Sequence, residues 1–260
     1  MQIKFLKAIT LAGVSGLIAL SSSPGHATEP GIEWLVDCPK LPGRALDQEV
    51  IARTQCGIVT VPANHQASTS GHVRLSITRV GAREPLARQG VVFTQPDTLH
   101  APAHGVFAVY LASTWKYSNT QAYRTLVDLY DVIELGRRKQ PAAEQSARDM
   151  EFVRLQLGEE KINFLGRAQG SWPGIGYGAM FPQYMGRMVL IEPTPGELSD
   201  AYLRKAFARL PADRRLMLKG AYLQTVSSRP ASHCANRWVG EYLANGTQPP
   251  RSAGCLVTDE

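Results

Sequence analysis

Residues 162–165 read Ile-Asn-Phe-Leu, a short apolar run bounded like a buried strand, and they lead straight into Gly166-Arg167-Ala168-Gln169-Gly170. Glycines on both sides of a small residue mark a sharp turn, because glycine reaches backbone angles that cost other residues and lets two segments approach closely. The chain beyond is expected to be helical to about Ala179, followed by a strand at 187–191. Upstream lie a strand at 130–135 and a helix from about 142 to 157, with Ala143, Ala147, Met150, Val153 and Leu157 at helical spacing. This β-α-β-α-β run implies a parallel sheet with helices on both faces.

The segments before it fit the same sheet. Residues 56–62 and the strictly alternating 73–80 form a predicted hairpin around a polar turn, and 90–94 is apolar throughout, as suits a sheet interior. A helix is expected over 119–129. After the Pro-rich stretch at 193–196 the pattern predicts a helix near 199–209, a strand at 216–218 and a last helix over 236–243. Nothing repeats, and no linker marks a second domain.

Lys4 and Lys7, the apolar run 8–20 and the small residues ending at Ala27 have the form of a secretory signal. The expectation is a signal peptide over 1–27 and one domain over 28–260, exported to the periplasm or exterior, with no transmembrane segment in the mature part. Loss of the two lysines takes 28 basic residues to 26 against 22 acidic ones, a mild excess. The basic pairs are scattered, so no nucleic-acid partner is expected. Cys38, Cys56, Cys234 and Cys255 fall into two close pairs, one near each end. In an exported chain these read as disulfides, and pairing Cys38 with Cys56 and Cys234 with Cys255 closes the shortest loops. Zinc is the other use of such cysteines, but neither pair has ligand spacing. No metal and no cofactor is expected.

The turn at 166–170 resembles the Gly-x-Ser-x-Gly nucleophile elbow of α/β-hydrolases, with Ala168 where the serine stands. Arg148-Asp149, the stretch 155–163, Met180-Phe181-Pro182 and 186–190 are similar to the tripeptidyl-aminopeptidase family of exported α/β-hydrolases. So are the opening Cys-Gly-x-Val-Thr-Val-Pro at 56–62 and the closing 242–249 before Cys255. The resemblance runs from Cys56 to Cys255. It implies an α/β-hydrolase-like, mostly parallel sheet with helices on both faces, and an ancestral activity releasing peptides from substrate N-termini through a Ser-Asp-His triad.

Departures from that pattern carry as much weight. The Gly-rich oxyanion loop of the family is replaced by 95–102, which has no glycine, and Pro96 cannot donate a hydrogen bond. An Asp-Pro-Arg-Gly segment appears as Leu135-Gly136-Arg137-Arg138. The triad aspartate's turn corresponds to Gly196-Glu197-Leu198-Ser199, with Asp200 one place on, and the histidine's turn to Gly220-Ala221-Tyr222-Leu223. Most of the substrate-covering cap is missing between 192 and 199, so the cap is reduced or absent. A deliberate Ser→Ala replacement accounts for Ala168 but not for the changes in the oxyanion loop, the aspartate, the histidine and the cap.

Ala168 has no lone pair and no proton to give up, so no base can activate it. No catalytic residue is therefore expected at Ala168, flanked by Gly166 and Gly170. The weak candidates, if the chain is active, are Ser171, Asp200 and His233. Ser171 lies three residues past the strained position and reads as a first-turn helix residue. His233 adjoins Cys234 at too long a spacing from the last strand. His100 and His104 have Pro102 between them and no acidic partner, and the four tryptophans are spread as packing residues. The expectation is a non-catalytic homologue that binds a protein partner or serves as a subunit of an extracytoplasmic assembly. The alternative is a serine hydrolase or aminopeptidase with a relocated nucleophile, or an inactivated form of one.

Overall fold

A computed structural model describes residues 31–39, 47–67, 71–95, 105–118, 120–139, 143–193, 205–218 and 230–250. Eight strands form one sheet: β1 (Gly31–Trp34), β2 (Thr54–Pro62), β3 (His72–Val80), β4 (Gly90–Gln95), β5 (Tyr130–Leu135), β6 (Ile162–Arg167), β7 (Met185–Ile191) and β8 (Arg215–Leu218). Their spatial order is β1-β2-β3-β5-β4-β6-β7-β8. The pairs from β1 through β5 by way of β2 and β3 are antiparallel. From β5 through β4, β6 and β7 to β8 every pair is parallel. That half of the sheet is the one the β-α-β-α-β pattern predicts.

Helices cover both faces. On one side α2 (Val106–Lys116), α3 (Gln121–Leu129) and α6 (Pro230–Asn245) pack Trp115, Leu126, Tyr242 and Leu243 against Val92, Val132, Leu165 and Val189. On the other, α4 (Ala143–Gln156) and α5 (Trp172–Met180) set Met150, Val153, Ile175 and Tyr177 against Phe93, Ile133, Phe164 and Met188. The alternation of Val92 with Phe93 and of Phe164 with Leu165 between these two cores is the period-two geometry of a strand buried on both faces. A short α1 (Gln48–Ala52) begins at Asp47, whose carboxylate accepts from the Glu49 and Val50 amides. Thr120 caps α3 in the same way through the Tyr123 amide.

Buried charges fix the strands' ends. Asp131 on β5 accepts from Arg79, Arg88 and the Ala82 amide. Asp149 on α4 takes both Nε and Nη2 of Arg138 at 2.7 Å, while Arg138 also donates to the carbonyls of Pro62 and Ala63. His65 Nε2 lies 2.7 Å from Asp149 Oδ1, so the far end of β2 is tied to the middle of α4. Asn163 stitches β6 to both neighbours, donating to the Val91 carbonyl and accepting from the Arg187 amide at the register irregularity near the start of β6.

The elements differ from the predicted ones at identifiable places. α2 is a helix the periodicity does not reveal, because Val106, Ala108, Val109, Leu111, Ala112 and Trp115 are all buried and its polar face is thin. β1 is a four-residue edge strand, too short for a pattern. The last helix starts at Pro230, six residues before its predicted start, since proline is tolerated in a first turn. Of the helix expected near 199–209, residues 205–207 are helical and 199–204 lie outside the described residues. Cys38 and Cys56 form a disulfide that ties the segment after β1 to β2. Cys255 lies outside the described residues, so the second pairing stays an expectation. No helix among the described residues is long and apolar enough to cross a membrane.

Candidate active-site elbow

β6 ends at Arg167, residues 168–171 make a single tight turn, and α5 begins at Trp172 with Pro173 in its first turn. Ala168 has φ of 46°, in the left-handed region that side chains other than glycine rarely occupy. Such strain persists only where the surroundings hold it. Here a Cβ added at Gly166 would lie 2.7 Å from the Gly170 carbonyl and 2.7 Å from Ser171 Cα, so the turn folds back onto its own first residue. Farther along, a Cβ at Gly174 would sit 2.1 Å from the Phe164 ring. Two positions without side chains thus let α5 lie directly on β6.

The turn lies at the carboxyl ends of the parallel strands, where open α/β sheets bind ligands. Gln95 ends β4 in register with Gly166, and Glu192 follows β7, whose Ile191 is in register with Arg167. Ala168, Arg167 and Gln169 are half-buried. Glu134, buried near the end of β5, accepts from the Gly105 and Ala108 amides at 2.9 and 3.0 Å, so a carboxylate already occupies the amino end of α2.

Gly166, Ala168, Gly170 and Ser171 share the one turn. Ser171 is 0% exposed, and among the described residues no base is hydrogen-bonded to its Oγ. His233 lies on α6, with its side chain outside the described residues, and Asp200 lies outside them altogether. Residues 96–104, which include most of the stretch 95–102 expected to correspond to the oxyanion loop together with His100 and His104, and the stretch 219–229 also lie outside. Among the described residues no group of three or more His, Cys, Asp or Glu is placed to hold a metal ion. An open polar groove of about 530 Å³ lies at the opposite, amino ends of the strands, lined by Tyr130, Lys161, Arg187 and Arg214 among others, away from the elbow.

Gln95, Glu134 and Glu192 are site residues that sequence reasoning misses. A signal for the first two exists: each is a polar residue at or near the carboxyl end of an otherwise apolar strand, where a buried side chain must find a partner.

Strand, tight left-handed turn and helix, set in the parallel half of a mixed sheet covered on both faces, define an α/β-hydrolase-like fold. This chain has that fold. It is similar to the tripeptidyl aminopeptidases of Streptomyces lividans and Streptomyces coelicolor, 26% identical to each over 214 residues, which cover 64% of this chain and 38% of each relative. It therefore spans well under half the length of those curated relatives. No family model matches the chain. Among solved structures, a CIB-like hydrolase from Thermoplasma acidophilum covers 74% of this chain and 99% of its own at 10% identity, with a TM-score of 0.42. Cfl2 from Burkholderia cenocepacia covers 69% and 54% at 13% identity, with a TM-score of 0.36.

Proposed function

We propose that this chain is a non-catalytic α/β-hydrolase homologue that works by binding a protein partner outside the cytoplasm, with the elbow kept as scaffold. The observation that carries this reading is Ala168 itself: a methyl group stands at the left-handed position where hydrolases of this fold present their nucleophile. Two further features support it. Ser171, the nearest hydroxyl along the turn, is fully buried with no base bonded to it among the described residues, and the amino end of α2 is neutralised by Glu134.

The extracytoplasmic setting is supported by the Cys38–Cys56 disulfide and by the signal-like residues 1–27, which leave 28–260 as a single mature domain. The competing reading is a serine hydrolase with a relocated nucleophile, helped by Asp200 or His233. A fluorophosphonate probe reports any activated serine without knowledge of the substrate. Mature protein purified from its host is expected to show no labelling. Covalent labelling at Ser171 or at any other serine would overturn the non-catalytic reading.

A further inference from the structure

We propose that Gln95 and Ser171 together hold one internal water molecule beneath the elbow, tying the end of β4 to the start of α5. Register pairs Phe93 with Phe164 and Gln95 with Gly166 on parallel neighbours, and paired residues of such strands project from the same face. Phe93 and Phe164 belong to the core under α4 and α5, so the Gln95 side chain leaves the sheet on that face. Ser171 stands on the same face over Gly166, its Cα 2.7 Å from where a Cβ of that glycine would be. Adjacent strands are about 4.8 Å apart, so both side chains close on one small volume.

The hydrogen bonding fixes which end of the amide faces this volume. Gln95 Nε2 donates to the Leu135 carbonyl at 3.3 Å, on the β5 side. A carbonyl only accepts, so the nitrogen is held there and Oε1 is left on the side away from β5, toward β6. Gln95 is 4% exposed and Ser171 0%. Among the described residues Oε1 and Oγ are both buried without a partner, and they do not bond to each other. Buried polar atoms in native proteins are satisfied by protein or by ordered water. The amide oxygen needs a donor, and the hydroxyl can donate or accept. Water meets both needs at once, donating to Oε1 and either accepting from or donating to Oγ.

In this arrangement Ser171 is part of the floor that holds Ala168 in its left-handed turn. A double-mutant cycle on the mature protein tests it, with thermal unfolding as the readout. A shared water predicts that Ser171→Ala lowers the melting temperature by about 2–4 °C, and that Ser171→Ala with Gln95→Met loses less than the two single changes added. Were the two atoms separate orphans, Ser171→Ala would delete an uncompensated polar group. An unchanged or raised melting temperature, or an additive cycle, would therefore overturn the proposal. Should Gln95→Met fail to fold, a high-resolution crystal structure of the unsubstituted protein decides. Density within about 3.2 Å of both Oε1 and Oγ supports the bridge, and a site without it overturns it.

Discussion

Ala168 and Glu192 follow register partners on the adjacent parallel strands β6 and β7, and both are left-handed, with φ of 46° and 45°. They are the two non-glycine residues with positive φ among the described ones. Glu192 also donates its amide to the Leu218 carbonyl at 2.9 Å, so its turn is pinned to the end of β8. Strain is thus concentrated at the carboxyl edge of the sheet, beside the elbow, in a chain whose elbow carries a methyl group. A left-handed conformation costs a non-glycine residue about 1–2 kcal/mol.

Ala168→Gly is expected to stabilise the protein. Removing the Cβ relieves that steric cost, and the extra backbone entropy of glycine offsets about 0.5–1 kcal/mol of the gain. The net prediction is a gain of about 0.5–1 kcal/mol in denaturant unfolding. A loss of stability would show that Ala168 is held in place by contacts of its methyl group.

Gly174 is expected to tolerate no side chain while Phe164 is present. A Cβ there meets the Phe164 ring at 2.1–2.2 Å, and both groups lie where helix and strand touch. Forcing extra atoms into such a core costs about 1–3 kcal/mol or more. Gly174→Val should therefore abolish soluble expression, and Phe164→Leu should restore part of what Gly174→Ala loses. Wild-type melting of Gly174→Val would contradict the close approach of α5 to β6.

The Arg138–Asp149 pair is buried on both sides and tied to two carbonyls and to His65. Removing one partner strands the other charge away from water, at a cost of about 3–5 kcal/mol. Asp149→Ala should lose that much stability, while Arg138→Met with Asp149→Leu should lose less. Equal losses from the single and double changes would place the cost in packing rather than in the unpaired charge.

Asp47 supplies a pH dependence. Its carboxyl is held well below the usual range by the Tyr117 hydroxyl first and by Lys116 next, both on or just after α2. A carboxylate depressed in the folded state binds its proton more readily when unfolded. Its stabilisation is therefore complete above pH ~4–5 and is lost as pH falls from ~4 toward the lower folded value. The stability difference between the unsubstituted protein and Asp47→Asn should be largest at neutral pH and shrink on acidification to pH ~2. A difference that stays constant across that range would contradict the ion pairing described for Asp47.

The sequence reveals the parallel half of the fold well, because β4, β5 and β6 are short apolar runs separated by helical periodicity. It also reveals the elbow, because Gly166 and Gly170 bracket a single small residue at the end of a strand. It conceals α2, which is apolar on nearly all sides, and it conceals the bond from Asn163 to Arg187, which exists only once β6 and β7 are paired. The polar residues around the elbow are the least legible. Gln95 and Glu134 look like interruptions of strands until the sheet brings them to one edge, and the left-handed conformation of Glu192 leaves no mark in composition. Ser171 looks like an available hydroxyl in the sequence, and only the packing of Gly166 beneath it shows that it is enclosed.

The central proposal is that the elbow lacks more than a hydroxyl, and Ala168→Ser tests it most directly. Triad members act as a unit, so under the proposed non-catalytic reading a serine returned to a site without a base would recover little catalysis. The measurement is fluorophosphonate labelling of the folded Ala168→Ser protein together with turnover of aminoacyl and short acyl esters. The account predicts a normally folded variant with no labelling and no saturable turnover. Labelling of the new serine with saturable ester hydrolysis would mean that a base and oxyanion donors still surround position 168, and would contradict it.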